Sequence, residues 1–131
     1  MTTHELKRQK TKRYKVVKSK IRYSCAINGR SKYALQYLPG TEVYARSETI
    51  GVMCFKNYKW ADLFISRNYL YWSHCKIVEV LPMGKGRVPN LIANPSQLDI
   101  YYNDRPLYIG YYSWMIVPEG TICYPAVYVL N

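Results

Sequence analysis

The sequence predicts a single α+β domain, mainly antiparallel β, with one short helix packed on the sheet and a basic arm at the N-terminus. Three observations carry this. Apolar and polar residues alternate with period two in several short runs bounded by Gly, Pro and Asn, the signature of half-buried strands. One interval alone, around Trp60, Leu63 and Phe64, has the i, i+3, i+4 spacing of a helix. The chain of 131 residues is long enough for one hydrophobic core but not for two.

Charge divides the chain unevenly. Residues 1–35 hold 11 Lys and Arg against one acid, Glu5, whereas residues 36–131 hold 8 against 7. The expected organisation is therefore a flexible basic arm over 1–14 and a nearly neutral β-rich body over 15–131. Lys7, Arg8, Lys10, Lys12 and Arg13 crowd the arm. Such a basic end matches nucleic acid, an anionic surface or an acidic protein patch; a solubility or targeting tail has the same composition.

Residues Lys15 to Ile27 read as the first strand. Val17, Ile21, Tyr23, Cys25 and Ile27 fall on one face, and Lys18, Lys20, Arg22 and Ser24 on the other. The outward cations continue the charge of the arm, and also suit an edge strand that must resist pairing. Asn28-Gly29 marks a hairpin turn, with a return strand over about Lys32 to Leu38. Pro39-Gly40 turns the chain into Thr41–Ala45, and a polar link leads to the apolar run Ile50–Phe55. Asn57 is placed to cap a helix of about ten residues, anchored on the sheet by Trp60 and Phe64.

Tyr71 to Leu81 reads as the next strand. Residues 82–95 follow as a loop broken by Pro82, Gly84, Gly86, Pro89 and Pro95. Gly84-Lys85-Gly86-Arg87 sets glycines between cations, a generic anion-binding pattern that lacks the rest of a phosphate-binding loop. The last third reads as Ile100–Tyr102, Leu107–Val117 and Thr121–Leu130, separated by turns. Gly120-Thr121-Ile122-Cys123-Tyr124 echoes Gly40-Thr41-Glu42-Val43-Tyr44, through either a weak duplication or a recurring turn-to-strand solution.

Residues 1–20 contain no apolar segment of a secretory signal, and no window is long and apolar enough to cross a membrane. The expectation is an intracellular protein whose cysteines, Cys25, Cys54, Cys75 and Cys123, are reduced thiols packed as small apolar side chains. The catalytic inventory is poor. His4 and His74 are the two histidines, the acids form no close-set pair, and Cys75 and His74 alternate to opposite faces of a strand. No catalytic residue, metal ligand or cofactor is assigned. No Cys-x-x-Cys or His-x-x-x-His spacing is present.

Three stretches look familiar together: Gly40 to Ala45 with Glu48 to Phe55, Val80 to Arg87, and Gly120 to Val127. They resemble small uncharacterised proteins of bacteriophages and other large DNA viruses. The resemblance covers roughly residues 35–130, leaves out the basic arm and brings no activity with it. It implies a viral accessory protein acting in the host cytoplasm, or in the nucleus of a eukaryotic host, by binding rather than by catalysis. The residues point to nucleic acid, DNA or RNA, held with little sequence specificity by Lys7, Arg8, Lys10, Lys12, Arg13, Lys15, Lys18, Lys20 and Arg22. Lys85 and Arg87 offer a second contact. The alternative is a module that binds a host protein or an anionic ligand through its Tyr-rich surface.

Overall fold

The computed structural model describes residues 6–24, 35–45, 51–67, 74–88, 91–93, 114–116 and 119–131. In chain order the elements are β1 (Arg13–Lys18), β2 (Glu42–Tyr44), β3 (Val52–Phe55), α1 (Tyr58–Arg67), β4 (Cys75–Met83), β5 (Leu91–Ala93), β6 (Trp114–Ile116), β7 (Thr121–Tyr124) and β8 (Ala126–Val129). Among the described residues six strands form one antiparallel sheet in the order β2-β8-β4-β1-β3-β7, and β5 pairs with β6 apart from it. The α+β fold class read from the sequence is the one observed.

The sheet is rolled. β7 and β8 are joined by Pro125 alone, yet β4, β1 and β3 lie between them in the sheet order. In a flat sheet those four steps would span about 19 Å, whereas the two residues from Tyr124 to Ala126 reach about 7 Å at most. The strands must therefore curl round until the ends meet. They meet through β4: Met83 lies opposite Ala126 of β8, and beyond Gly84 Arg87 bridges to Cys123 of β7. Three residues lie between the partners on one strand and two on the other, so the bend carries one extra residue. That is a β-bulge, which sharpens strand curvature, and Gly84 at φ +80° supplies the backbone it needs.

Alternation divides the side chains between two cores. Val17, Val43, Val52, Cys54, Val78, Val80, Ile122, Tyr124, Val127 and Val129 line the inside with Tyr37. On the other face of the sheet α1 crosses β1, β3 and β4. Asn57 caps it, its side-chain oxygen accepting the Trp60 amide at 3.1 Å. Ala61, Phe64 and Ile65 are its buried residues, with the Phe64 ring 5.2 Å from that of Phe55. Trp60, expected as an anchor beside Phe64, is half-buried and lies over Gly120.

Several boundaries differ from the sequence reading. The first strand was expected to start at Lys15 and run to Ile27. It starts at Arg13, and the chain is already bridged to β4 at Arg8, so pairing begins inside the expected arm. It ends at Lys18 because residues 19–21 turn: the Arg22 amide donates to Lys18, the Lys18 amide donates to Tyr23, and Arg22 takes φ +60°. β4 runs past Leu81 through Pro82 to Met83, and β5 occupies part of the expected 82–95 loop. Pro82 keeps a useful carbonyl, which accepts the Gln9 amide at 2.7 Å. β6 falls within the expected Leu107–Val117 run. The expected Thr121–Leu130 strand is broken into β7 and β8 at Pro125.

The expected hairpin at Asn28-Gly29, residues Lys32–Ala34 of its return strand, the Ile100–Tyr102 run, and His4 and Cys25 lie outside the described residues. The two Gly-Thr-x-x-Tyr stretches open β2 and β7, the two ends of the sheet order, each from a glycine at positive φ (Gly40 +76°, Gly120 +81°).

Candidate nucleic-acid interface

The predicted cations do not act alike. Lys15 was expected to contact nucleic acid, but it is 3% exposed and points into the barrel with Val17. Parity with Val17 was the signal that could have placed it there. Arg13 also faces inward, its Nε donating to the Tyr124 hydroxyl at 3.0 Å. Arg22 is tied to main-chain oxygens, Nε to Tyr37 at 2.6 Å and a terminal nitrogen to Asn131 at 2.7 Å. Arg8 pairs with Glu42 at 3.3 Å while its guanidinium lies 3.8 Å over the Tyr128 ring. Lys12 pairs with Glu79 at 3.3 Å. Lys7, Lys10, Lys20, Lys85 and Arg87 are exposed and Lys18 is half-buried; none of these makes an ion pair among the described residues.

The fold also joins basic residues far apart in sequence. The Gly84 amide donates to the Lys7 carbonyl at 3.1 Å, and the Gln9 side chain donates to Gly84 at 2.7 Å. Lys85 and Arg87 are thus brought to the start of the N-terminal segment. At its other end Tyr14 lies opposite Phe55, so exposed Lys56 and Lys59 follow beside it. Lys56 and Lys59 were not singled out from sequence, because they are scattered until Tyr14 and Phe55 pair. The result is a strip from Lys85 and Lys7 through Lys10 and Lys12 to Lys56 and Lys59, following about 20 Å of extended chain.

Two of the four amides in the Gly84-Lys85-Gly86-Arg87 stretch are engaged within the fold. The Gly84 and Arg87 amides are spent on Lys7 and Cys123. A Cβ on Gly84 would stand 2.6 Å from Pro125, and one on Gly86 2.6 Å from Ile122 and from Tyr124. These glycines serve close packing at the bend. The Lys85 and Arg87 side chains remain exposed.

Inside the barrel Lys15 Nζ donates to the Met53 carbonyl at 2.9 Å and to Ser24 Oγ at 3.3 Å, and lies 5.2 Å over the Tyr37 ring. Burial lowers the pKa of the amine, partly offset by Cys54 and Cys123. Burial likewise pushes the Cys54 thiol up to about 12, the Cys123 thiol up to about 11 and the Tyr37 hydroxyl upward. Such thiols are protonated and poorly nucleophilic. His74, the other half of a conceivable Cys54 dyad, sits exposed in the turn before β4 at φ +55°.

All four cysteines were expected as free thiols. Cys54 and Cys123 are free, but Cys75 is disulfide-bonded. Among the described residues no helix is long and apolar enough to cross a membrane, and no three His, Cys, Asp or Glu side chains group as metal ligands. Comparison with protein-family models, curated proteins and solved structures gave no match.

Proposed function

We propose that this protein binds nucleic acid with little sequence specificity along the strip formed by Lys7, Lys10, Lys85 and Arg87, extended by Lys56 and Lys59. The observation that carries the reading is the Gly84–Lys7 hydrogen bond, which makes one surface of two basic stretches some 75 residues apart. Exposed cations without acidic partners are what a phosphate backbone requires, since each phosphate neutralised releases a counterion. Lys15, Arg13 and Arg22 drop out of the contact set because their polar atoms are engaged within the fold.

Point substitutions test this better than removal of residues 1–14, which would also take Arg13 and Tyr14 from β1. Binding is measured across a salt series for the wild type, for a variant with Lys7, Lys10, Lys85 and Arg87 all changed to Gln, and for a Lys20→Gln, Lys76→Gln control. Lys20 and Lys76 are exposed at the far end of β1 from Lys12. The quadruple variant should bind more weakly, and its plot of log K against log salt should flatten by about 3. The control should keep most of its affinity. Unchanged affinity in the quadruple variant, or wild-type binding insensitive to salt, would overturn the proposal.

A further inference from the structure

We infer that the nucleic acid held by this strip is unpaired, with one of its bases stacked on the ring of Tyr58; the inference rests on the reading just proposed. Tyr58 opens α1 and is 56% exposed, while Ala61, Phe64 and Ile65 of the same helix are buried. Its ring therefore contributes little to the core beneath the helix. It is nevertheless held in place: Tyr14 meets it edge to face, with ring centroids 6.0 Å apart and planes at 87°. Whichever ring presents its edge, this contact leaves at least one face of Tyr58 uncovered.

Among the described residues, two other aromatic rings near the strip are engaged by neighbouring groups. Arg8 covers a face of Tyr128 at 3.8 Å. Trp60 lies against Gly120 with Lys59 Nζ 5.4 Å from its ring. Tyr58 combines an open face with cations close by in the chain and the sheet. Lys56 and Lys59 flank it in sequence, and Lys12 reaches Glu79, which lies opposite Tyr14. Glu79 does not leave a bare negative charge there, because Lys12 and the Asn131 amide both engage its carboxylate.

The chemistry then distinguishes strands from duplex. In a duplex the base faces are stacked on each other, and only phosphates and groove edges are presented. An extended single strand exposes base faces, which stack on an aromatic ring irrespective of base identity. A fixed, open ring among lysines suits that second ligand.

The test uses the full chain, with Tyr58→Ala and Tyr58→Phe variants, binding a labelled oligothymidylate of about 20 nucleotides and a duplex of the same length. Tyr58→Ala should weaken oligothymidylate binding roughly 5- to 100-fold, the range for loss of one base–aromatic stack. Tyr58→Phe, which keeps the ring, should bind as the wild type does. Duplex binding should be the same for all three, and unchanged far-ultraviolet circular dichroism confirms that each variant is folded. Oligothymidylate affinity indifferent to Tyr58→Ala, or a parallel loss for duplex, overturns the inference. If the quadruple lysine–arginine variant still loses affinity in that case, the basic-strip reading stands without Tyr58. Absence of wild-type binding to either nucleic acid removes both.

Discussion

Lys15 Nζ and the main-chain oxygen of Met53, 38 residues apart in sequence, form a buried hydrogen bond of 2.9 Å inside the barrel. With Ser24 Oγ as the second acceptor, the two N–H groups of a neutral amine are both used. An ammonium would carry a third N–H and a full charge into a space lined by Tyr37, Cys54 and apolar side chains. Desolvation of that charge is what lowers the Lys15 pKa.

Stability should therefore depend on pH in two limbs. Lys15 has a folded pKa below its unfolded value, so between the two the unfolded chain binds more protons and stability rises with pH. Cys54 and Cys123 move the other way, from 9.0 to about 12 and about 11, and Tyr37 is also raised. Their contribution is fully present below about pH 9 and is lost as pH climbs through the folded values. Urea unfolding should show a limb that rises with pH below the ordinary lysine value and a limb that falls as pH climbs above about 9. Lys15→Met should flatten the rising limb and leave the falling one. A variant with the same rising limb would place the titration elsewhere.

The thiols give a second prediction. Cys54 and Cys123 are both buried and shifted away from the thiolate form. In the native protein at about pH 8, an aromatic disulfide reagent should modify neither on the timescale in which it titrates both in denaturant. Because Cys75 is disulfide-bonded, prior reduction should add to the denatured thiol count. Rapid modification of native Cys54 would mean that the barrel opens readily.

Local signals made much of the fold legible. β2, β3 and α1 lie within a few residues of their expected places, because alternation, the Asn57 cap and the Pro39-Gly40 turn act over a handful of residues. What escaped was non-local. The turn at 19–21 contains no Gly or Pro, and Arg22 takes its positive φ with its side chain braced on Tyr37 and Asn131. Pro125 sat inside an otherwise continuous strand pattern, and only the pairing of its two sides with different strands reveals a corner. The basic residues were legible as a composition but not as a surface. Five of the eleven are engaged by partners distant in sequence, from Glu42 for Arg8 to Tyr124 for Arg13.

Loss of helix packing supplies a simple stability check. Phe64 is buried and its ring meets that of Phe55, so Phe64→Ala removes both apolar burial and an aromatic pair. The expected cost is about 3–5 kcal/mol, enough to leave a domain of ordinary stability largely unfolded on mild heating. A loss below about 1 kcal/mol in urea unfolding would mean that α1 is not anchored through this residue.

Gly84 and Gly40 form a matched pair that separates strain from collision. Both have positive φ, +80° and +76°. A Cβ at Gly40 would meet nothing within 4 Å, whereas at Gly84 it would stand 2.6 Å from Pro125 Cγ and 2.9 Å from Leu6 Cδ2. Gly40→Ala should then cost only the left-handed backbone, about 1–2 kcal/mol. Gly84→Ala should cost more, because the bulge must also shift against Pro125, the corner on which barrel closure depends. The same shift would strain the Gly84–Lys7 hydrogen bond. Faster amide exchange over Leu6 to Gln9 in Gly84→Ala, but not in Gly40→Ala, would show that the bend and the basic strip are mechanically one unit. Equal destabilisation by the two substitutions, with no change in exchange, would show that they are not.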